Sequence, residues 1–488
     1  RAAGEGMAAD EVADEAVVAL DDPECASPDG TNDSTLYSVP PQISKYFSDF
    51  GHAVRKMQFE AASQVMHAAV EAARANDGEG YGRNTSEVAS WKEILTAFGQ
   101  LAIAEAHYIQ LPFLHNTRQL VTRKEAEMRR HYGVAIDSFT RIAAHLLPGT
   151  VPHHICEQSL AFCDARDTLI GCHRRIVTAN ESAEEPLDTI EQALQRVCAM
   201  VREFHHPLLS DVAHNFSLET ELLRCLIGIQ RSVLYTGILE TTIRLKELRE
   251  RLLFWLKDID WGSNKKGLFS TSLKPAEKWA RCRLFAYLHS YHAWLALKYT
   301  FLFHETLGPY INPLDAPREG EDSMDGLTMH EVLAPIKKRE KDALMAILID
   351  RSRDSDMAYI AGRDYKCPRV GDASAVAAAA SSLPSGRFPL LYMHAPDKQA
   401  FAAHYDEMAD AIRSSQTALD EGRRVHVLRR RDKGQYTTYF YERLESRLVV
   451  ALMIPARRAE KDVHINRFFT HFCATFRGAT LAAKWRLA

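Results

Sequence analysis

From about residue 42 to 310 the chain repeats apolar residues at steps of three and four, the spacing that keeps one face of a helix dry. The longest stripe lies between Arg202 and Leu256, where Val212, Phe216, Leu222, Leu223, Leu226, Ile229 and Val233 are followed in phase by Ile238, Leu239, Ile243, Leu245, Leu252 and Leu253. Ser210 is placed to cap this stretch, with Asp211 at the positive helix end. Thr236-Gly237 predicts a hinge between a helix ending near Tyr235 and a second reaching Leu256. The same period predicts helices over Gln42 to Ala75, Thr85 or Ser86 to Pro112, Thr117 to Leu147, His153 to Ala179 and Leu187 to Phe204. A further helix follows Pro275 and ends at Gly308-Pro309. With Trp279, Leu284, Phe285, Leu288, Tyr291, Trp294, Leu295, Leu297, Phe301 and Leu302 it is apolar almost all round, which suits the centre of a bundle. Residues 39 to 311 therefore read as an all-α helical bundle.

The period then changes. Residues 312 to 327 turn to Pro, Gly and acidic side chains and read as a linker. Beyond it a helix from Thr328 to Asp342 precedes short apolar runs at 343 to 350 and 388 to 395, separated by an Ala-, Ser- and Gly-rich loop at 362 to 387. A helix from Asp397 to Leu419 shows Phe401, Tyr405, Met408 and Ile412 on one face. Three strands follow, at 423 to 430, 435 to 444 and 447 to 455, and a last helix carries Phe468, Phe469, Phe472 and Phe476, with Gly478 able to close it. The order α-β-β-α-β-β-β-α over 328 to 488 resembles the roadblock fold, a relative of longin domains, in which helices cover one five-stranded antiparallel sheet. The fold class expected is thus α+β: an N-terminal bundle and a C-terminal roadblock/longin-like α/β domain. Residues 1 to 38, acidic and poor in large apolar side chains, are expected to be a disordered tail.

Composition narrows function mainly by exclusion. A net charge of -4 over 488 residues gives no general footprint for nucleic acid. The nine cysteines are scattered without Cys-x-x-Cys spacing and read as reduced thiols of a cytoplasmic protein. Residues 10 to 33 lack the apolar core of a signal peptide. His289, His292 and Lys298 interrupt the most apolar span, Leu284 to Phe303, so a membrane is expected to be reached only through partners.

No dinucleotide-binding, P-loop or nucleophile-elbow motif occurs. Two clusters remain as candidates. In Phe204-His205-His206-Pro207, two imidazoles could join His214 or Cys198 around zinc, which would make the chain a metal-dependent enzyme. Alternatively the histidines are held by backbone at a helix end. Arg429-Arg430-Arg431, with Lys433 beyond, could meet an acidic partner or anionic headgroups, or could guard an exposed strand edge. Tyr436, Tyr439, Phe440 and Tyr441 could stack bases, though alternation along a strand favours core on one face.

Three blocks bear a family resemblance: REFHHPLLSDVAHNFSLETELL at 202 to 223, LFAYLHSYHAWLALKYTFLFHETL at 284 to 307, and TTYFYERLESRLVVALMIPARRAEKDVHINRFFTHF at 437 to 472. In this order they resemble the KICSTOR complex subunit 2 proteins, and the likeness extends over about Ile94 to Lys484. The acidic tail, the Ala-rich stretch at 372 to 382 and the segment from Ala400 to Arg424 look expanded beside that family. The resemblance implies a non-enzymatic scaffold subunit without cofactors. With kaptin, an FG-GAP repeat protein and a very large scaffold subunit, it would hold the GATOR complex at the lysosomal surface. GATOR acts there on Rag GTPases, so that TOR complex 1 is inhibited when amino acids or glucose are scarce. Roadblock-like modules commonly pair with one another, so a homodimer is also expected.

Overall fold

In the computed structural model, the described residues are 39–75, 85–114, 123–182, 187–235, 238–259, 282–303, 329–350, 388, 390–394, 398–431, 434–445, 448–479 and 481. The acidic tail, the 236–237 hinge, Trp279, the 312–327 linker and the 362–387 loop lie outside them. The helical part comprises α1 (Pro41–Arg55), α2 (Phe59–Ala75), α3 (Thr85–Tyr108), α4 (Arg123–His145), α5 (Val151–Ser182), α6 (Leu187–Glu203), α7 (Ser210–Tyr235), α8 (Ile238–Asp258) and α9 (Arg283–Leu302). From α1 to α7 each helix packs on its neighbour in sequence, and α1 closes the ring against α7. The α7 stripe explains why that helix anchors the ring: Leu222, Leu223, Leu226, Ile227 and Ile229 are all fully buried.

Two features of this ring depart from the sequence pattern. The single helix expected over 42–75 is broken at Met57, whose φ of 59° reverses the chain between α1 and α2. The carbonyl freed at the end of α1, that of Val54, accepts bonds from the Met57 N–H at 2.8 Å and from Asn215 Nδ2 at 2.7 Å. Because Asn215 sits on α7, the break is stabilised from a distant part of the chain. Ser210 is likewise not a cap. A 3-10 turn over Pro207–Leu209 leads straight into α7, Ser210 already has helical backbone angles, and His206 supplies the capping acceptor.

After α10 (Met329–Arg339) come β1 (Leu344–Ile349), β2 (Leu390–His394), α11 (Lys398–Ser414), α12 (Gln416–Asp420), β3 (Val425–Arg430), β4 (Tyr436–Glu445), β5 (Leu448–Ile454) and α13 (Val463–Phe476). The strands form one antiparallel sheet in the order β2-β1-β5-β4-β3. The α+β class and the predicted element order are both present. Only the helix expected over 397–419 differs, being interrupted at Ser415. There Gln416 turns to bond buried Asp350 at 2.9 Å and to accept from Arg443 at 2.9 Å.

Strand side chains alternate between faces, and both faces of this sheet are covered. Leu344, Ala346, Leu348, Tyr439, Tyr441, Val449, Ala451 and Met453 pack with Tyr405, Met408, Ile412 and Leu419 of α11 and α12. Met345, Ile347, Ile349, Phe440, Val450, Leu452 and Ile454 instead join the core of the helical ring. The burial of Tyr439, Phe440 and Tyr441 removes them as a stacking platform for bases.

Helix α9 carries that junction. Trp294 Nε1 donates to the carbonyl of Phe476 at 3.2 Å, and Lys298 pairs with Glu445. The ring of Phe301 meets those of Tyr392, Phe472 and Phe476 with centroids 4.9, 5.9 and 6.0 Å apart. Residues 39–488 consequently form one compact unit. Gly478, with φ +77°, ends α13 where a Cβ would lie 2.9 Å from Trp294 Cζ2. Gly478→Ala is expected to cost roughly 1–3 kcal/mol, from backbone strain plus this clash. A urea titration of the full chain measures it.

Candidate functional site

The Phe204–Pro207 turn joins α6 to α7. Phe204 is buried, with its ring centroid 5.6 Å from that of Phe162 on α5. Gln158 on α5 ties the turn down: it accepts from the His205 N–H and donates to the Glu203 carbonyl, each at 2.8 Å. His205 Nδ1 lies 2.8 Å from the Glu203 carbonyl, so it donates there, while His206 Nδ1 accepts from the Leu208 N–H at 3.2 Å. The ring in contact with both is His154, at centroid distances of 5.8 and 5.4 Å. With one nitrogen of each imidazole committed to backbone, the pair is organised to fix the turn. Among the described residues no group of three or more His, Cys, Asp or Glu is placed to hold a metal ion.

His206 is 9% exposed, and burial, followed by the nearby His154 and His205, lowers its pKa from 6.5 to about 4. The folded chain resists a proton that the unfolded chain accepts, so His206 adds stability that is present above 6.5 and lost as pH falls toward 4. Asn at this position keeps an acceptor for the Leu208 N–H but cannot titrate. His206→Asn is therefore expected to lose less stability than the parent between neutral pH and about pH 5, measured by urea midpoints at both.

The arginine run divides. Arg429 and Arg430 are exposed at the end of edge strand β3. Arg431 is instead tied to α11: Nη2 donates to Glu407 Oε2 at 2.7 Å and to the Tyr439 hydroxyl at 2.8 Å, and that hydroxyl donates to Glu407 at 2.6 Å. Lys433 lies outside the described residues.

A third cluster, absent from the sequence-based candidates, occupies the middle of the ring. Arg166 on α5 donates from Nε and Nη2 to Glu105 on α3 at 2.9 and 2.8 Å, and from Nη1 to Glu219 on α7 at 2.6 Å. Tyr132 on α4 donates to Glu105 at 2.7 Å, Tyr108 on α3 donates to Glu219, and His173 Nε2 lies 3.3 Å from Glu219. The guanidinium also faces the rings of Tyr108 and Phe216, 4.1 and 4.6 Å from their centroids. Burial acts to raise the pKa of both carboxyls. At Glu219 the charge of Arg166 and bonds from His173 and Tyr108 outweigh it and hold the group at about 2, whereas at Glu105 burial prevails and the value stays raised. Such divergence between two acids is a feature of acid–base sites. Here, however, the adjoining cavity is about 20 Å³, room for one water, whereas substrate pockets run to several hundred. The cluster is a buried fastening of four helices.

Its sequence signal was available. Glu105, Arg166 and Glu219 fall in phase with the apolar stripes Leu101–Tyr108, Phe162–Leu169 and Phe216–Leu223, where a charge needs an opposite charge on a facing helix. No helix among the described residues is long and apolar enough to cross a membrane.

Comparison with known proteins places these features in a family context. The profile of the family described as "KICSTOR complex C12orf66 like" matches residues 52–486, from the last turn of α1 through the rest of the ring and the sheet. KICSTOR subunit 2 of Xenopus laevis is 23% identical over 423 residues, covering 81% of this chain and 88% of the relative. KICSTOR subunit 2 of Danio rerio is 23% identical over 416 residues, covering 80% and 86%.

Proposed function

Because the chain belongs to the KICSTOR complex C12orf66-like family, we propose that it is a scaffold subunit of a KICSTOR complex and works through surfaces rather than a reaction centre. The observation that carries this reading is the span of the family match, 52–486, which runs from the last turn of α1 through the rest of the ring, the α9 junction and the sheet. In the proposed mechanism the chain assembles with a kaptin-like subunit, an FG-GAP repeat protein and a large scaffold subunit. Together they hold GATOR at the lysosomal surface, where it acts on Rag GTPases. TOR complex 1 is thereby restrained when amino acids or glucose are scarce. The physical role of such a subunit is to raise the effective concentration of one partner near another, which requires two faces held in a fixed relation. The single core that α9 builds between ring and sheet supports that requirement.

The test is affinity purification of the full chain from its own cells, combined with its deletion. Recovery of the other subunits, and TOR complex 1 activity that persists in starved deletion cells, is the expected result. Failure to recover any of these partners, together with a normal starvation response after deletion, would overturn the reading.

A further inference from the structure

The free edge of the sheet carries a feature that the scaffold reading does not use. Strand β3 is the last in the sheet among the described residues, paired only with β4. Arg431 donates its backbone N–H to the Gln435 carbonyl at 2.7 Å. Hydrogen-bonded pairs alternate along an antiparallel ladder, so the bonded positions are 431, 429, 427 and 425. The N–H and C=O groups of His426, Leu428 and Arg430 therefore point away from the sheet. Side-chain faces follow the same alternation. Leu428 and Arg430 share a face with their partners Thr438 and Tyr436, and Arg429 lies on the other, where Val425 and Val427 pack toward α11.

What this edge presents is specific. Leu428 is 38% exposed, and the two exposed arginines beside it form no ion pair with any described residue. On the Leu428 face Arg457 adds a further cation, stacked 5.5 Å from the Tyr436 ring centroid. Strand edges are commonly blunted by charge, which repels other strands of like or no charge. Unpaired arginines do not repel an acidic strand. A second copy of this chain is disfavoured, since it would bring four unpaired guanidiniums to one seam.

We propose that the β3 edge receives an extended acidic segment of another protein as a sixth strand. Its backbone bonds to His426, Leu428 and Arg430, an apolar side chain covers Leu428, and adjacent carboxylates meet Arg429 and Arg430. Affinity in this mode comes from the main chain, and selection from the side chains on alternate faces. The inference does not depend on which complex the chain joins.

The probe is a fluorescein-labelled peptide with the core Thr-Val-Val-Glu-Glu-Thr, titrated into the full chain and followed by anisotropy. Binding that weakens as salt is raised is expected. Leu428→Pro removes one outward N–H and leaves the β4 ladder intact, a change that edge strands accept. It should weaken binding by about tenfold or more. The charge reversal Arg429→Glu with Arg430→Glu should do the same and should transfer binding to a peptide with Lys in place of both Glu. Hydrogen exchange should slow at the amides of His426, Leu428 and Arg430 when the peptide is bound to the unaltered chain. If Leu428→Pro fails to fold, the charge swap and the exchange pattern decide together. Absence of binding, binding that the charge reversal leaves unchanged, or binding without protection of these three amides would overturn the proposal.

Discussion

Arg166→Met is expected to destabilise the chain by about 3–5 kcal/mol, because removing one member of a buried ion network leaves the others charged and uncompensated. Methionine fills a similar volume among Tyr108, Phe162 and Phe216, so a lost cavity contact does not account for the effect. What remains is a pair of carboxylates, Glu105 and Glu219, with no cation between them. A loss of this size is a large share of the roughly 5–15 kcal/mol by which a domain is usually stable. Urea unfolding followed by circular dichroism measures it directly. The pH response supplies a second readout. Glu219 titrates at about 2 in the folded chain against an ordinary 4.5, so its contribution is complete above 4.5 and is lost as pH falls toward 2. Glu105, raised by burial, runs the other way: its contribution is full below 4.5 and is lost as pH rises through its folded value. Glu219→Gln should therefore flatten the acid limb of the stability curve below about 4.5, and Glu105→Gln should not. Arg166→Met with parental stability, or an acid limb unmoved by Glu219→Gln, would mean that the cluster does not fasten the ring.

The parts of this fold that could be read from sequence are those where one local pattern decides the outcome. The α7 stripe from Val212 to Val233 needs only its own period, and the apolar runs that become β1, β4 and β5 need only their length and their flanking turns. Other features depend on residues far away in sequence. The stripe over 42–75 runs on past Met57 with its phase undisturbed, and the bond that marks the break comes from Asn215. Ser210 has the right chemistry for a cap, but a 3-10 turn capped by His206 displaces it, and the residues just before that turn are held by Gln158 on another helix. The ionic cluster is the clearest case. Each of its charges looks like a polar interruption of a stripe until three helices are superposed, and only then do the interruptions cancel. The candidate residues divide on the same principle. Nothing local to Arg429-Arg430-Arg431 distinguishes its third member, which an ion pair with Glu407 of α11 holds against the fold.

The α9 junction leads to the second large effect. Phe301→Ala is expected to cost about 3–5 kcal/mol, the range for deleting a buried aromatic side chain whose neighbours cannot collapse onto the gap. Phe301 is fully buried, and its ring neighbours come from two other elements: Tyr392 on β2, and Phe472 and Phe476 on α13. These elements are held by the sheet and by the Trp294 bond to Phe476, so each is restrained from moving inward. The same geometry bears on any division of the chain within 312–327. A fragment ending near Asp315 would present Trp294, Lys298 and Phe301 to water, and Lys298 would lose Glu445, its partner across the junction. Exposed apolar patches of this kind promote association. The fragment is expected to keep its helical circular dichroism but to self-associate in size-exclusion chromatography. Phe301→Ser within the fragment should relieve that association, whereas in the full chain the same change should lower the urea midpoint. A fragment that is monomeric and melts as cooperatively as the full chain would show that the ring does not need the sheet beside it. The two proposed partner-binding faces would then be joined by connection alone and not by a common core.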